Sequence, residues 1–306
     1  MRIVFMGTPS FAVASLKALV EAGHAVCGVF SQPDKPVGRH QNVFQPTPVK
    51  EYALSQNIPV FQPVKLRDGT ALEQLRALAP ELIVVTAYGR ILPDDILALP
   101  PKGCINVHAS LLPKLRGAAP INWAILNGER ETGVTIMHMA SALDAGDMIL
   151  RETTAIDPEE NAAQLYDRLA ELGGALLIRA VTQLENGTAT RTPQDHTAAT
   201  LAPMLSKELS PMDWSRSAWE LHCQVRGLYP WPAAVTQLDG VRCKILKTSL
   251  TQETSIKPAG TVVQADKRGL KLACGDGKVL EIQELQPDGK KAMAATAFLL
   301  GHPIRL

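Results

Sequence analysis

The sequence predicts an α/β protein with a doubly wound parallel sheet in its first part and a small β-barrel in its last third. In residues 1–187, short apolar runs alternate with segments of helical spacing, as in parallel strands joined by helices. In residues 207–306, short apolar segments follow one another with only turn signals between them. Residues 188–206 are small, polar and proline-containing, which predicts a linker between two domains.

The composition is that of an ordinary globular protein. Of 306 residues, 46% are hydrophobic and 20% are charged, and a chain of this length typically forms two domains. No apolar run is long enough to span a membrane, and the N-terminus leads straight into a strand without a charged-then-apolar leader. The five cysteines are dispersed and form no Cys-x-x-Cys pair, so we expect neither a disulfide framework nor a zinc site. A cytoplasmic location follows as the expectation.

The first domain is predicted to open with a strand at 3–6, ended by Gly7, and a helix over 11–22. Three prolines and a glycine in residues 32–46 predict a long loop without a regular helix or strand. Asp157, followed by a proline and two acidic residues, predicts the N-cap of a helix that ends by residue 187. Further strands are predicted at 26–30, 81–86, 104–108, 133–139 and 148–156, and further helices at 49–56 and 70–78.

The second domain is predicted to begin with a short helix over 217–225. The short strands after it are separated by turn signals such as Asp239-Gly240, and this favours a small OB-like barrel. Residues 207–306 carry 14 basic against 10 acidic side chains, a net charge of +4, which indicates a polyanionic partner. The predicted strands lie at 233–238, 244–249, 260–265, 270–273 and 279–285.

The turn after the first strand argues against a dinucleotide-binding enzyme. Gly7-Thr8-Pro9 stands where a dinucleotide fingerprint would lie, but the G-x-G-x-x-G pattern is absent. Pro9 also lacks the N–H that would otherwise face a phosphate. A nicotinamide-dependent dehydrogenase is therefore disfavoured, and the sequence contains no P-loop either.

The strand at 104–108 carries the side chains that indicate chemistry. Asn106 and His108 are two residues apart and leave the same face of the strand, at the sheet edge where open α/β sheets bind ligands. An amide donor beside an imidazole can bind a developing oxyanion and move a proton. Asp144 follows in a glycine-containing loop. Taken singly, these residues are more typical of a structural hydrogen-bonding pair and a turn aspartate than of a catalytic site.

The joint pattern resembles the folate-dependent formyltransferases. Asp144 in Leu-Asp-Ala-Gly-Asp matches the catalytic aspartate of this family. Ala109 and Ala145 replace Gly and Thr of some members, and both replacements are small. The loop at 32–39 and the C-terminal third are most similar to the members that act on a charged tRNA. The family signature is carried by Asn106-x-His108 followed by Ser110-Leu111-Leu112-Pro113-x-x-Arg116-Gly117-x-x-Pro120.

The resemblance implies a fold and a reaction. The fold is a Rossmann-like formyltransferase domain followed by an OB-like tRNA-binding domain. The reaction moves a formyl group from 10-formyltetrahydrofolate to the α-amino group of methionine on initiator tRNA, without a metal ion. No obligate protein partner is implied, and a monomer acting away from membranes is the default expectation.

The resemblance also assigns roles to residues. Asn106 would hold the oxyanion, His108 would stabilise it or relay a proton, and Asp144 would orient His108 and help the substrate ammonium lose its proton. Arg116 is open to two interpretations, as a folate ligand or as a structural tether. The predicted folate contacts are Ser110, Leu111, Leu112 and Pro113, and the predicted tRNA contacts are Lys35 and Arg39.

Other functions remain open at this stage. The same three residues would serve a formyltransferase acting on another amine, such as glycinamide ribonucleotide or a nucleotide aminosugar. The basic C-terminal domain and the 32–39 loop favour the tRNA substrate over both. A hydrolase that releases formate is a weaker alternative. A non-catalytic folate- or RNA-binding protein would be expected to lack Asn106, His108 or Asp144, and this chain has all three.

Overall fold

The computed structural model describes residues 1–37 and 43–305, without the side chains of Val37 and Val43. The chain divides into two compact units, each assembled from three stretches of sequence. Among the described residues, none of the helices is both long and apolar enough to cross a membrane. Unit 1 consists of Met1–Gly117, Gly133–Thr154 and Tyr166–Leu201, and unit 2 of Ala118–Thr132, Ala155–Leu165 and Ala202–Leu306.

The first eleven strands form a large sheet and two short ribbons. Most of them coincide with apolar runs, because a strand covered on both faces buries nearly every side chain. They are β1 (Arg2–Gly7), β2 (Ala25–Phe30), β3 (Lys35–Val37), β4 (Val43–Gln45), β5 (Val60–Phe61), β6 (Leu82–Thr86), β7 (Cys104–His108), β8 (Arg116–Gly117), β9 (Glu131–His138), β10 (Met148–Ala155) and β11 (Leu201–Ala202).

The large sheet has seven strands in the order β10-β9-β7-β6-β1-β2-β5. Strands β5, β2, β1, β6 and β7 run parallel to one another, which confirms the predicted parallel sheet for this part. Strand β9 runs antiparallel to β7, with Asn106 opposite Met137 and His108 opposite Thr135. The sequence predicted β9 and β10 as strands but did not predict this reversal.

The predicted loop at 32–46 contains regular structure, so that prediction is wrong. Strands β3 and β4 form an antiparallel ribbon in which Lys35 lies opposite Gln45 and Pro36 opposite Phe44. Each strand of a two-stranded ribbon has one unpaired edge, and a proline is tolerated there because its missing N–H is not needed. Residues 38–42, between the two strands, lie outside the described residues.

Six helices accompany these strands. The last of them starts later than predicted, because Asn161 and not Asp157 is its N-cap: the Asn161 Oδ1 atom accepts hydrogen bonds from the amides of Ala163 and Gln164. Asp157 instead closes a local turn by accepting from the amide of Glu159. The helices are α1 (Ser10–Glu21), α2 (Pro48–Ser55), α3 (Thr70–Leu78), α4 (Asp94–Leu97), α5 (Pro120–Leu126) and α6 (Ala162–Asn186).

Helices cover both faces of the large sheet. On one face, Val4 and Ile83 belong to an apolar cluster with Leu75 of α3 and Ile96 of α4. On the other face, Gly173 of α6 approaches Val107 of β7 and Val134 of β9 so closely that a Cβ would lie 3.0 and 3.6 Å from their methyl groups. The doubly wound arrangement is therefore confirmed. It brings the carboxyl ends of β1, β6 and β7 to one edge of the sheet.

Unit 2 is dominated by an antiparallel sheet in the order β12-β13-β16-β15-β14, with β17 paired to β16. All five predicted strands of the second domain are present. Helix α7 begins one residue after its predicted start, and its N-cap Ser217 forms a reciprocal capping box with Glu220. The elements are α7 (Ala218–Gly227), β12 (Ala234–Leu238), β13 (Val241–Thr254), β14 (Val262–Asp266), β15 (Gly269–Ala273), β16 (Lys278–Pro287), β17 (Met293–Ala294) and α8 (Ala295–Gly301).

Candidate active site

The site lies where β7 ends. Asn106 is half-buried, and its side-chain amide makes no hydrogen bond to any of the residues that the structure describes. His108, the last residue of β7, is buried with only 6% of its side chain exposed. The strand therefore presents a free amide donor and a shielded imidazole in adjacent positions on one face, as predicted.

The protonation of His108 is set by its neighbours. Its Nε2 atom lies 3.0 Å from the backbone carbonyl oxygen of Leu115. A carbonyl oxygen only accepts hydrogen bonds, so Nε2 carries a proton. The Nδ1 atom faces Asp144, at 3.7 Å from its Oδ2 atom. In neutral His108, Nδ1 is thus a proton acceptor that points at a carboxylate.

Asp144 lies in the loop between β9 and β10, and a backbone amide holds its carboxylate. Its Oδ2 atom accepts a hydrogen bond of 2.8 Å from the amide of Gly117, and its side chain is 13% exposed. Its backbone is left-handed, with φ +47°. Gly146 passes so close to β9 that a Cβ there would lie 1.8 Å from the carbonyl oxygen of His138, so the loop requires glycine.

Burial shifts the pKa values of two further titratable groups of this sheet. Tyr88 follows β6 and is almost completely buried, and burial raises its pKa to about 12. Burial also lowers the pKa of His138, at the end of β9, and the positive charge of Arg191 lowers it further. His108 and Asp144, whose Nδ1 and Oδ2 atoms lie 3.7 Å apart, are the acid–base pair that the geometry brings together.

The residues predicted to contact folate fall into two groups. Ser110 is fully buried and its hydroxyl donates a hydrogen bond of 2.6 Å to the carbonyl of Lys114. Leu112 is fully buried in a small apolar cluster with Met137 and Met148. Leu111 and Pro113 are half-buried and retain exposed surface. The folate contacts stay predictions, and the exposed surface of this loop belongs to its Leu111 and Pro113 side chains.

The predicted tRNA contacts are Lys35, which is exposed on β3, and Arg39, which lies outside the described residues. Arg116 donates from its Nε and Nη2 atoms to the side-chain oxygen of Gln194 at 3.1 and 2.7 Å, the kind of contact expected of a structural tether. Gln194 was not singled out from the sequence. It sits in the predicted linker, where nothing in the local composition distinguishes it from its polar neighbours.

Together these groups can perform acyl transfer. A free amide donor can bind an oxyanion, and an imidazole backed by a carboxylate can accept and return a proton. Among the described residues, no cluster of three or more His, Cys, Asp or Glu side chains could hold a metal ion.

Comparison with known proteins identifies the family. A sequence model of the formyl transferase family matches residues 1–181, and one of the formyl transferase C-terminal domain matches residues 204–303. The chain is 49% identical over 304 residues to the methionyl-tRNA formyltransferase of Alkaliphilus oremlandii, with 99% of this chain and 97% of that protein covered. It is 50% identical to the methionyl-tRNA formyltransferase of Moorella thermoacetica, at the same coverage. The chain belongs to the methionyl-tRNA formyltransferase family.

A more distant structural likeness supports the fold. An N-formyltransferase from Helicobacter canadensis, solved with folinic acid and dTDP-3-aminofucose, superposes with a TM-score of 0.71 at 20% sequence identity. The match covers 93% of this chain and 98% of that one. This chain and that N-formyltransferase thus share one architecture, and a shared fold by itself does not select the amine that is formylated.

Proposed function

We propose that this chain transfers the formyl group of 10-formyltetrahydrofolate to the α-amino group of methionine esterified to initiator tRNA. The observation that carries the proposal is the His108–Asp144 pair beside the free amide of Asn106, at a sheet edge in a chain about half identical to methionyl-tRNA formyltransferases over nearly its whole length. The product is N-formylmethionyl-tRNA, the charged tRNA that begins translation.

The residues at the site fit a formyl donor. When bound, 10-formyltetrahydrofolate supplies a formyl group attached to nitrogen, whose carbonyl oxygen accepts hydrogen bonds. The Asn106 amide is a donor without a partner among the described residues, and the Asp144 carboxylate accepts one hydrogen bond through Oδ2. The site thus offers both a free donor and remaining acceptor capacity.

Asn106 is proposed to stabilise the developing negative charge. Attack by a neutral amine converts the formyl oxygen into an oxyanion, and a fixed amide donor binds that oxyanion more strongly than the starting carbonyl oxygen. Removing one such donor from an enzyme costs about 10²–10³ in turnover, or about 3–4 kcal/mol. The half-buried position of Asn106 limits competition from water.

His108 and Asp144 are proposed to handle the proton. The substrate ammonium must lose a proton before its neutral amine can attack, and Nδ1 of His108 is available to accept that proton because Nε2 is protonated toward Leu115. The imidazolium that results is stabilised by the carboxylate of Asp144, 3.7 Å away. As the bond between the formyl carbon and the donor nitrogen breaks, His108 returns its proton to the leaving nitrogen, and the attacking nitrogen loses its second proton to water. A positioned acid/base pair of this kind typically contributes about 10²–10⁴-fold to the rate.

The division of labour along the chain also belongs to the proposal. Residues 1–187 supply catalysis, 188–206 link, and the net-basic residues 207–306 contribute affinity for RNA. Lys35 and Arg39 contact the acceptor end of the tRNA, and the 32–46 segment helps to distinguish initiator from elongator tRNA. The chain acts as a monomer in the cytoplasm, where initiator tRNA is charged and used.

A competition between acceptors tests the proposed function. The full chain is incubated with 10-formyltetrahydrofolate and, in separate reactions, charged initiator tRNA, glycinamide ribonucleotide or a nucleotide aminosugar. We expect formylation of the tRNA with a kcat/KM at least about 10³-fold above either small amine. A small amine as the preferred acceptor would establish the alternative, and release of formate at the same rate without any acceptor would indicate a hydrolase.

A further inference from the structure

The segment 194–200, within the predicted linker, contacts both sides of the His108–Asp144 pair. Gln194 is only 5% exposed, although its neighbours in this polar stretch are largely exposed. Thr200 is exposed and pairs with the backbone that follows the predicted folate loop. Both residues belong to unit 1, as do His108 and Asp144.

Gln194 holds the Asp144 side of the pair. Its Nε2 atom donates to the backbone carbonyl oxygens of Asp144 and Gly146, both at 2.8 Å. Its Oε1 atom accepts from the guanidinium group of Arg116, which fixes the orientation of the amide. All donors and the acceptor of this buried side chain are therefore used, and they point at the loop that carries the carboxylate.

Thr200 holds the His108 side. Its Oγ1 atom accepts a hydrogen bond of 2.9 Å from the amide of Leu115, and its carbonyl oxygen accepts one of 2.9 Å from the amide of Arg116. The carbonyl of that same Leu115 accepts the proton of His108 Nε2. Thr200 thus accepts a hydrogen bond from Leu115, the same residue whose carbonyl oxygen faces Nε2 of His108.

The two residues held in this way are both in the left-handed region. Leu115 has φ +59° and Asp144 has φ +47°. Leucine rarely adopts this conformation, and a strained backbone of this kind persists only where its surroundings fix it. The hydrogen bonds from residues 194–200 reach both positions, so one segment supports the strained backbone on each side of the imidazole.

We propose that Gln194 and Thr200 are positioning residues. They fix which ring nitrogen of His108 carries the proton and the distance from its Nδ1 atom to the Asp144 carboxylate. The proposal deepens the proposed function and rests on it. If Leu115 turns away, Nε2 loses its acceptor and the proton can move to Nδ1, where it faces the carboxylate of Asp144. That form of His108 cannot accept the proton of the substrate amine at Nδ1, so turnover falls while substrate binding remains.

A pair of variants at Thr200 isolates this role. Thr200→Val keeps the shape of the side chain and removes the acceptor, whereas Thr200→Ser keeps the acceptor. Thr197→Val is the matched control, because the Thr197 hydroxyl donates within the same segment, to Asp195. Gln194→Glu replaces the donor toward the Asp144 and Gly146 carbonyls with an acceptor. All four variants are made in the full chain.

We expect Thr200→Val and Gln194→Glu to lower kcat about tenfold or more, with KM for both substrates within about twofold of wild type. Thr200→Ser and Thr197→Val should keep kcat within about threefold. Melting temperatures of the two Thr200 variants should agree within about 2 °C, which separates positioning from a general loss of stability.

A spectroscopic measurement reports on His108 independently of the reaction. The ring nitrogens of the ¹⁵N-histidine-labelled chain distinguish a proton on Nε2 from one on Nδ1, and the His108 signals are assigned by their loss in His108→Ala. We expect the Nε2–H form in wild type and Thr200→Ser, and an increased Nδ1–H population in Thr200→Val.

The two tests fail separately. A wild-type chain that does not formylate charged tRNA contradicts the proposed function, and the nitrogen spectra still decide the positioning role. If Thr200→Val retains wild-type kcat and unchanged His108 nitrogen signals, the positioning role is wrong even though the chain is a formyltransferase.

Discussion

At the scale of single residues, the chemistry depends on which nitrogen of His108 carries the proton. The contact from Nε2 to the Leu115 carbonyl and the 3.7 Å gap between Nδ1 and Asp144 together leave an acceptor site between the imidazole and the carboxylate. A separation longer than a hydrogen bond leaves that position open to the proton of the substrate amine. We therefore propose that the pair works as one proton acceptor rather than as two independent groups.

A double-mutant cycle tests this coupling. His108→Ala and Asp144→Asn should each lower kcat by about 10² or more, since each breaks the same acceptor site. The double variant should be only slightly worse than the worse single variant, because residues that act as a unit have non-additive effects. Asn is chosen at position 144 because its side-chain oxygen can still accept from the Gly117 amide.

The control for the cycle is the melting temperature of each variant, which should stay near that of wild type. Rate losses that multiply in the double variant would show that the imidazole and the carboxylate act independently. Near-normal turnover of His108→Ala would remove the histidine from the mechanism.

At the scale of elements, the loop between β9 and β10 is tightly constrained by sterics. Gly146→Ala would bring a Cβ within 1.8 Å of the His138 carbonyl oxygen, so the loop must move. We expect kcat to fall about tenfold or more, because Asp144 moves with the loop, and the free energy of unfolding to fall by about 1–3 kcal/mol.

Gly301→Ala provides the matched control, since no atom lies within 4 Å of a Cβ at that position. Its activity and unfolding free energy should equal those of wild type within about 0.5 kcal/mol. Wild-type activity in Gly146→Ala would mean that the loop tolerates displacement and that the position of Asp144 is less constrained than the structure indicates.

Helix α7 contains a buried histidine whose charge opposes folding. His222 is fully buried; its Nε2 donates to the carbonyl of Pro158 and its Nδ1 accepts from the hydroxyl of Thr248. Burial lowers its pKa to about 4, the Pro158 contact partly offsets this, and the charge of Arg226 adds to the lowering. The carboxylate of Glu159, 3.7 Å from Nε2, favours the charged form but is exposed.

Because the pKa of His222 is lower in the folded than in the unfolded chain, the unfolded state binds more protons between about pH 6.5 and 4. The stability associated with neutral His222 is complete above about pH 6.5 and is lost as the pH falls to about 4, by up to about 3 kcal/mol. Urea unfolding of wild type and His222→Gln at pH 7 and pH 5 measures this. The variant should lose less stability on acidification, and equal losses would contradict the assignment.

The elements also show what the sequence could predict. Contiguous apolar runs located β1, β6 and β7, and the two-residue spacing of Asn106 and His108 placed both side chains on one face. The reversal of β9 could not be predicted, because strand direction depends on how a long connection folds and not on periodicity. The N-cap of α6 was predicted at Asp157 and lies at Asn161. The sequence could not separate them, because aspartate and asparagine are both favoured at N-caps.

Gln194 was missed for a related reason. Its partners lie 50 and 48 residues away in sequence, at the Asp144 and Gly146 carbonyls, and no local pattern marks such long-range contacts. Small polar composition predicted a linker at 188–206, and composition does not tell a solvated segment from one that packs against a site. The catalytic candidates, by contrast, share one strand and one loop, which a single sequence can show.

At the scale of the whole molecule, the proposed tRNA substrate is a polyanion, and we expect it to be bound through contacts away from the catalytic residues. We expect Arg39→Ala to lower kcat/KM for charged initiator tRNA about tenfold, or about 1.4 kcal/mol, without changing KM for the formyl donor. If Arg39 contacts a phosphate, the dependence of log Kd on log salt should also become shallower by about one unit.

Lys17→Ala is the control for this prediction, because Lys17 is an exposed cation on α1 whose ion pair is with Glu21 of the same helix. It should retain wild-type kinetics and salt dependence. Equal kcat/KM values for Arg39→Ala and wild type would leave residues 32–46 without a role in tRNA binding.

We propose that this chain formylates methionyl initiator tRNA through Asn106, His108 and Asp144. Single-turnover formation of N-formylmethionyl-tRNA, with full chain in excess over charged initiator tRNA and saturating 10-formyltetrahydrofolate, tests it most directly. Wild type should convert the tRNA, and Asn106→Ala should convert it about 10²–10³-fold more slowly while binding the tRNA equally well. Absence of N-formylmethionyl-tRNA with wild type, or equal rates for the two chains, would contradict the account.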